Sequence, residues 1–167
     1  VAFVSQSSTI STAVLDWAQN RNIGFSHFVS LGETADIDFG DIIDYLGNDP
    51  MTRAILLYVE SVRNGRAFLS AGRGASRNKP ILVIKSGRAP EGQRLAAIRS
   101  GAAIGSDAVY DAAIRRAGML RVYSFGELFA AVETLARARS MRGERVAMLT
   151  NGCGVAVMAV DALLLNG

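Results

Sequence analysis

AILLYVE, residues 54–60, is a nearly unbroken apolar run that ends in a glutamate. Strands with one face in water alternate apolar and polar residues, whereas a continuous run is typical of a parallel strand covered on both faces. ILVIKSG, residues 81–87, repeats this pattern after an intervening helical segment. The two runs therefore predict strands of a parallel sheet that lies between two layers of helices.

Strand and helix patterns also alternate on either side of these runs. VAFVS at residues 1–5 predicts a strand, QSSTIS starts a helix, and FSHFVSLG predicts another strand. Asp36 or Asp38 is the predicted N-cap of the next helix, which ends before Pro50. Later segments predict three helices and a short strand: GRAFLSAGRGASR, DAVYDAAIRRAG, LRVYS and FGELFAAVETLARAR. This alternation predicts an open parallel α/β sheet with right-handed crossovers.

The composition fits one domain in a reducing compartment. The chain has 167 residues, half of them hydrophobic, which suffices for one sizeable core and not comfortably for two. Cys153 is the single cysteine and cannot form an internal disulfide, so we expect a cytoplasmic protein. The sequence has no apolar run long enough to span a membrane and no signal-peptide pattern, so no membrane partner is expected.

The net charge of +3 hides a gradient along the chain. Residues 33–49 carry six acidic residues and no basic one, whereas residues 62–122 carry twelve Lys or Arg and three acids. The basic section is either a solvated face or a surface that attracts ligand phosphates or an acidic partner domain. Nucleic acid is not an expected partner, because few aromatic residues interleave with the basic ones to stack on bases.

An internal repeat bears on the domain organisation. VAFVSQSSTISTAVLDWAQN aligns without gaps on VAMLTNGCGVAVMAVDALLL, which begins at Val146, at an offset of 145 residues. The similarity is either a coincidence between two strand-turn-helix elements or the start of a second, similar domain. On the second interpretation, residues 1–140 form one domain, and residues 141–167 hold a linker and the first strand and helix of a truncated next domain. We accordingly expect the sequence to be a piece of a longer protein.

Ligands bind open parallel sheets at the carboxyl ends of the strands, and four segments are predicted to meet there. Gln6-Ser7-Ser8-Thr9, at a helix start, offers N–H groups and hydroxyls to an anion, although helix capping explains the same residues. Glu60 ends a buried strand, where it can orient an imidazole or pair with an arginine. Lys85–Arg88 follows another strand, and the fourth segment is LAAIRSGAAIGSD, residues 95–107.

The sequence predicts no metal site and no nucleophile–histidine pair. His27, the single histidine, lies inside an apolar strand pattern, which favours a packed or rim histidine over a ligand because no second His or Cys is near it. Cys153 is remote from His27 along the chain, although closeness in space stays open. The turns QSSTIS and NGCGVAV match neither the glycine fingerprint of a dinucleotide site nor a P-loop.

The second, flavodoxin-like domain of NDP-forming acyl-CoA synthetases, the superfamily of succinyl-CoA synthetase, resembles this chain in many motifs. They occur in the same order: VAFVSQS, VLDWAQ, GFSHFVSLG, DIDFGDIIDYL, AILLYVE, KPILVIKSGR and GSDAVYDAAIRRAGMLRV. The resemblance runs from Val1 to about Arg139, and VAMLTNGCGVAVMAVDAL resembles the start of the family's next domain. It implies a flavodoxin-like open parallel sheet with helices on both faces, a three-layer α/β fold.

Active ligases of this family carry a loop of the form Ser-His-Thr-Gly-Ala-Leu-Ala-Gly-Ser-Asp. The phosphorylated histidine of that loop shuttles between the acyl-phosphate/CoA site and the nucleotide site. Residues 98–107 of this chain read IRSGAAIGSD, so Arg99 stands at the position of the histidine. Arginine is protonated at all ordinary pH and cannot accept the phosphoryl group in this mechanism.

The partners of the missing histidine mostly remain. Ser7, Ser8 and Thr9 match the family's phosphate-receiving helix start, with Ser8 in place of the usual glycine, and Glu60 matches the acid that steadies the histidine. The resemblance thus implies a phosphate or ligand site without a catalytic residue. Its predicted members are Ser7, Ser8, Thr9, Glu60, Arg99, Ser100 and Gly101.

Without this histidine, the chain resembles one branch of the superfamily above all, the Pat-type protein lysine acetyltransferases. In these proteins a synthetase-like part that has lost the histidine is fused to a GNAT domain. The resemblance implies a regulatory domain that binds acetyl-CoA or another phosphate-bearing ligand and has no ligase activity. Two alternatives stay open: a domain or subunit of an active NDP-forming acyl-CoA synthetase, and a non-catalytic assembly module.

The resemblance also implies cofactors and partners for the whole protein. The cofactors are CoA or acetyl-CoA and ATP or ADP, none of them assigned to this domain by itself. The partners are a CoA-binding Rossmann domain, an ATP-grasp domain and a GNAT domain of the same protein, together with acetyl-CoA, protein lysine substrates and a second copy of the chain.

Overall fold

The computed structural model of the chain describes residues 1–34, 36–100, 105–137 and 145–166. Five strands form one sheet: β1 (Ala2–Ser5), β2 (His27–Ser30), β3 (Ile55–Val59), β4 (Ile81–Lys85) and β5 (Leu120–Val122). The two apolar runs become β3 and β4, and every residue of β4 is buried.

Seven helices are described: α1 (Ser8–Gln19), α2 (Phe39–Asn48), α3 (Gly65–Ser76), α4 (Pro90–Ser100), α5 (Asp107–Arg116), α6 (Phe125–Arg137) and α7 (Cys153–Asn166). Ser7 caps α1 through its hydroxyl, and Asp38, not Asp36, caps α2 in a capping box with Asp41. Within the described ranges, no helix is both long and apolar enough to cross a membrane.

The strand order is β2-β1-β3-β4-β5, and every neighbouring pair is parallel. From β1 the chain moves outward to β2, crosses back over β1 to β3, and then adds β4 and β5 in turn. This is the flavodoxin-like order. The predicted fold class, a three-layer α/β fold with a flavodoxin-like open parallel sheet, is therefore confirmed.

Side chains alternate across the sheet and build an apolar core on each face. On one face Phe3, Leu56 and Leu82 pack with Val14 of α1 and Leu128 of α6. The opposite core is covered by α2, α3 and α5, and its members include Val4, Leu57, Val83, Ile43, Phe68 and Ile114. Both faces of the central strands are thus covered, as their unbroken apolar sequences require.

One local prediction is corrected by the structure. LAAIRS, the first half of the segment that resembles the family's phosphohistidine loop, completes α4, so the backbone of Arg99 is helical. Leu, Ala and Arg are strong helix formers, which explains why these residues extend the helix instead of opening a loop. The second half begins at Gly101, and residues 101–104 lie outside the described ranges.

The internal repeat is reproduced only in its helix. α7 spans Cys153–Asn166, whereas residues 145–150 pair with none of the strands in the described part of the chain. None of the residues 145–165 is buried. A strand needs hydrogen-bonding neighbours, and the predicted strand at Val146 finds none among the described residues. The domain boundaries at 140 and 141 stay predictions.

Helices α2 and α3 approach each other closely because Gly40 has no side chain. A Cβ atom added at Gly40 would lie 2.9 Å from the Cβ of Ala67 and 3.0 Å from its carbonyl carbon. We expect Gly40→Ala to lower the free energy of unfolding by about 1–3 kcal/mol, the usual cost of overpacking. The measurement is chemical denaturation of the purified protein.

Gly74→Ala is the matched control, since Gly74 lies in the exposed face of α3 with no atom within 4 Å of an added Cβ. This variant should be neutral or more stable by up to about 1 kcal/mol, because alanine loses less backbone entropy in a helix. Equal effects at the two positions would contradict the close α2–α3 packing.

Candidate functional site

The candidate site lies at the carboxyl edge of the sheet, where β1 and β3 run side by side. The helix that follows β1 packs on one face of the sheet, and the helix that follows β3 packs on the other. The two chain segments therefore diverge as they leave the sheet. We call the place between their strand ends the crevice, because open α/β sheets bind ligands there.

Gln6 bridges the two sides of this crevice. Its side-chain Oε1 accepts hydrogen bonds from the backbone N–H of Glu60 at 2.7 Å and of Ser61 at 3.0 Å. The backbone N–H of Gln6 donates to the carbonyl of Tyr58 at 3.3 Å, which is the last backbone bond between β1 and β3. The side-chain amide of Gln6 thus supplies the hydrogen bonds between the two segments beyond the last backbone hydrogen bond of the sheet.

The loop that follows β3, residues 60–64, is held by side chains from two further elements. The hydroxyl of Tyr110 in α5 accepts from the N–H of Val62 at 3.1 Å. A carboxylate oxygen of Asp38, the N-cap of α2, accepts from the N–H of Asn64 at 3.1 Å. Four of the five N–H groups of the loop are therefore bonded to side chains of Gln6, Tyr110 and Asp38, which fixes the loop without regular secondary structure.

Ser7, Ser8 and Thr9 lie at the start of α1, on the β1 side of the crevice. Ser7 is buried, and its hydroxyl accepts from the N–H of Ile10 at 3.4 Å, so capping occupies it. Ser8 and Thr9 are exposed. The capping function of Ser7 is confirmed, while the predicted phosphate-binding roles of the three residues stay predictions.

Glu60 lies at the end of β3, across the crevice from α1. It is 7% exposed, and it is not without a partner. The side chains of Arg99 and Ser100, and the whole of Gly101, lie outside the part of the chain that the structure describes. Their predicted place beside Glu60 therefore stays a prediction, as does their role.

Lys85 ends β4, next to the crevice, and is 2% exposed. Its ammonium lies 4.5 Å from the centre of the Tyr110 ring and donates to the carbonyl of Ser86. It makes no ion pair within the residues that the structure describes. Burial is the main cause that lowers the pKa of Lys85 to about 8, which leaves the group mostly protonated at neutral pH.

An ion-pair cluster lies beside Lys85 at the start of α5. Arg121 of β5, whose side chain is 4% exposed, pairs with Asp107 at 2.5 Å and with Asp111 at 3.2 Å. Arg88 approaches Asp107 at 4.0 Å and lies 4.4 Å over the ring of Tyr123. Arg115 also pairs with Asp111, at 2.9 Å. Counting Lys85, four cations surround these two carboxylates, so this corner of the carboxyl edge keeps an excess positive charge that favours an anionic ligand.

His27 lies at the opposite edge of the sheet. It begins β2, pairs in register with Ala2, and places its Nδ1 3.4 Å from a carboxylate oxygen of Asp49. The hydrogen bond from the hydroxyl of Thr52 is the main cause that holds the pKa of Asp49 below its ordinary value. Of the two predicted placements, packed or at the rim, the structure shows His27 at the rim, across the sheet from the carboxyl edge; that it binds no ligand stays a prediction.

The structure brings together three of the four segments that the sequence predicted at this edge: Gln6–Thr9, Glu60 and Lys85–Arg88. Sequence reasoning missed Tyr110 and Arg121, since neither follows a strand directly. Asp107 and Asp111 stand four residues apart on one helix face, and this spacing is a signal that could have indicated a buried cation facing them.

A family model described as the succinyl-CoA ligase-like flavodoxin domain matches residues 1–135. The chain belongs to this family. The resemblance predicted from the motifs is confirmed at the level of the superfamily and of the flavodoxin-like domain.

The relatives of this succinyl-CoA ligase-like domain include two ADP-forming acetate–CoA ligases. The alpha subunit of ligase I from Pyrococcus furiosus is 42% identical over 162 residues, which cover 97% of this chain and 35% of that subunit. Ligase I from Archaeoglobus fulgidus is 39% identical, with 97% of this chain and 23% of that protein covered. The chain thus spans about a quarter to a third of the length of these relatives.

A solved structure shows the same likeness. The dinucleotide-forming acetyl-coenzyme A synthetase 1 of Ca. Korarchaeum cryptofilum, in complex with phosphate and ADP, superposes with a TM-score of 0.92 at 38% identity, covering 99% of this chain and 36% of that one. These relatives are synthetases, so the comparisons favour the synthetase alternative over the Pat-type interpretation, which no comparison supports.

The Gln6 bridge can be tested by Gln6→Leu, which removes the acceptor of two N–H groups. Each N–H left without a partner in this partly buried place is expected to cost about 1–3 kcal/mol of unfolding free energy. Amide hydrogen exchange should rise at residues 60–62 before it rises in the strands. Gln19→Leu, at an exposed position at the end of α1, should leave both quantities unchanged.

Lys85→Met removes a buried cation that has no ion pair within the described ranges, so we expect the variant to be more stable than the wild type at pH 7. The gain should be roughly 1–4 kcal/mol, as when other buried charges give way to apolar groups. Because folding lowers the pKa of Lys85 from 10.5 to about 8, its cost is fully present below pH 8.

That cost disappears as the pH rises from about 8 toward 10.5, since the lysine is then neutral in the folded state. Urea denaturation at pH 7 and pH 9.5 should therefore show the stability advantage of Lys85→Met shrinking with pH. An advantage that stays constant over this range would mean that Lys85 is not buried as a cation.

Proposed function

We propose that this domain is part of a protein with the domain organisation of the NDP-forming acyl-CoA synthetases. We propose further that its carboxyl edge binds the phosphate group of a nucleotide, an acyl phosphate or CoA. The observation that carries the proposal is the crevice between β1 and β3, which Gln6 spans between the start of α1 and Glu60. Helix starts with free N–H groups bind anions, and the excess positive charge near Lys85 favours them.

The relatives support the synthetase interpretation. Ligases of the acetate–CoA type cover almost the whole chain at 39–42% identity, and the related archaeal synthetase was solved with phosphate and ADP. We therefore propose acyl-CoA formation with ADP release as the reaction of the whole protein, with acetate the first acid to test. Its cofactors would be CoA and ATP, and its partners the remaining domains of a synthetase.

Arg99 limits what this chain contributes to that reaction. The chain has one histidine, and His27 begins β2 at the edge of the sheet opposite the crevice. We propose that no phosphohistidine forms on this chain, so that the domain binds a phosphate-bearing ligand. In the synthetase reaction, a group on another part of the protein would then have to accept the phosphoryl group from ATP. The same absence of a phosphohistidine is what a regulatory, Pat-type function would need, and it keeps protein lysine acetylation as the second candidate function.

Arg99→His in the full-length protein that contains this chain tests the proposal. If the crevice retains its phosphate-receiving geometry, the variant should gain a covalent phosphoryl label from ATP labelled in the γ-position. A phosphohistidine label survives alkali and is lost in acid, whereas the wild type should carry no such label on this chain. Arg94→His, an exposed position in the same helix, is the matched control and should stay unlabelled.

The outcomes separate the interpretations. If the Arg99→His variant is not labelled, the proposal that the crevice retains a phosphate site is contradicted. If the wild type is labelled on this chain, the proposal that no phosphohistidine forms on it is contradicted. The unmodified protein is then assayed twice: with acetate, CoA and ATP for ADP release, and with acetyl-CoA and a protein mixture for acetyl-lysine. ADP release supports the synthetase reaction, and acetyl-lysine formation without ATP supports the second candidate.

A further inference from the structure

Lys85 is an unusual residue to find at 2% exposure, because its ammonium has no carboxylate partner among the described residues. A buried cation of this kind costs stability. Two carboxylates of the neighbouring helix α5, Asp107 and Asp111, are both held by Arg121. The contacts that Lys85 does make are with the carbonyl of Ser86 and with the face of the Tyr110 ring.

Tyr110 connects this cation to the crevice. One face of its ring meets the Lys85 ammonium at 4.5 Å, and its hydroxyl accepts from the N–H of Val62 at 3.1 Å. Val62 stands two residues after Glu60, in the loop whose first two N–H groups are held by Gln6. Tyr110 also lies in the first turn of α5, three residues after Asp107.

We propose that Lys85 is a positioning residue for the ligand site: in its protonated form it holds the Tyr110 ring in place, and through the Tyr110 hydroxyl it fixes the loop after β3 and the start of α5. This inference rests on the proposed function and deepens it. It makes the affinity of the carboxyl edge for phosphate depend on a charge that never touches the ligand.

This role accounts for a lysine at a position where burial of its ammonium lowers the free energy of unfolding. A cation over an aromatic face attracts it most strongly where water is excluded, as it is here. Methionine would fill the same volume without the charge, and the attraction on the ring would be lost. Since the pKa of Lys85 lies near 8, the hold on Tyr110 should weaken as the lysine loses its proton above that pH.

Several charged and titratable groups surround Lys85 and share its field. They are Asp107 and Tyr110 of α5, Arg121 of β5, Glu60 at the end of β3 and Arg66, which lines a groove with Tyr110 at the start of α3. Asp107 favours the protonated lysine and Arg121 opposes it. Asp107 and Arg121 are paired with each other.

Amide hydrogen exchange on the full-length protein tests the positioning directly. In Lys85→Met we expect about five- to thirty-fold faster exchange in peptides covering residues 60–64 and 105–110, and no change in β1. Lys85→Arg keeps the cation and should exchange as the wild type does. Lys79→Met is the matched control, because Lys79 lies before the amino end of β4 and donates to the carbonyl of Leu46.

The pH dependence of the exchange rates separates positioning by the protonated lysine from a purely structural role, because a purely structural role does not depend on the charge of Lys85. After correction for the intrinsic rate, the wild type at pH 9.5 should exchange in these two peptides like Lys85→Met, whereas Lys85→Arg should stay slow. Identical profiles for the wild type and Lys85→Arg across this range would overturn the proposal. Unchanged exchange in Lys85→Met would overturn it as well.

Calorimetric titration with inorganic phosphate then measures the consequence for binding. Lys85→Met and Tyr110→Phe should both bind phosphate more weakly, the latter because it keeps the ring and removes the acceptor for Val62. Full affinity in Tyr110→Phe would overturn the connection through the hydroxyl. A wild type that binds no phosphate would contradict the proposed function, and the exchange measurement would still decide whether Lys85 positions the two segments.

Discussion

The two hydrogen bonds that the Gln6 amide oxygen accepts from Glu60 and Ser61 are the constraint on which the carboxyl edge depends. At a topological switch point neighbouring strands separate, and the N–H groups just past them lose the backbone partners that the sheet supplied. Unpaired N–H groups in a partly buried place are costly, so a side chain must replace the ladder. Gln6 does this while its own N–H still bonds to Tyr58 and the next residue caps α1.

The rest of the edge is built on this bridge. With residues 60 and 61 fixed, Val62 and Asn64 come within reach of Tyr110 and Asp38, which belong to α5 and to the start of α2. The loop after β3 is therefore the place where contacts from the β1–α1 connection, from the start of α2 and from α5 meet. Its conformation depends on side chains distant in sequence, so a change in any one of these elements is transmitted to the crevice.

The fold and part of the carboxyl edge could be predicted from the sequence alone. The unbroken apolar runs at β3 and β4 predict buried parallel strands, and Ser7 and the Asp36/Asp38 pair mark helix starts, because these signals are local. Tyr110 could not be predicted, since its partner Val62 is 48 residues away and only the packed helix brings them together. Helix α4 runs to Ser100 because good helix formers fill LAAIRS, a local propensity that the family's loop pattern obscured.

The contacts of the edge also bear on how a synthetase-type domain can lose its histidine. The described residues that shape the crevice, namely Gln6, Tyr110 and Asp38, bond to backbone N–H groups and owe nothing to the identity of the residue at position 99. A phosphohistidine supplies chemistry, whereas these contacts supply shape and charge, and the two are separable. The shape of this edge is therefore compatible with an arginine at position 99, which cannot accept a phosphoryl group.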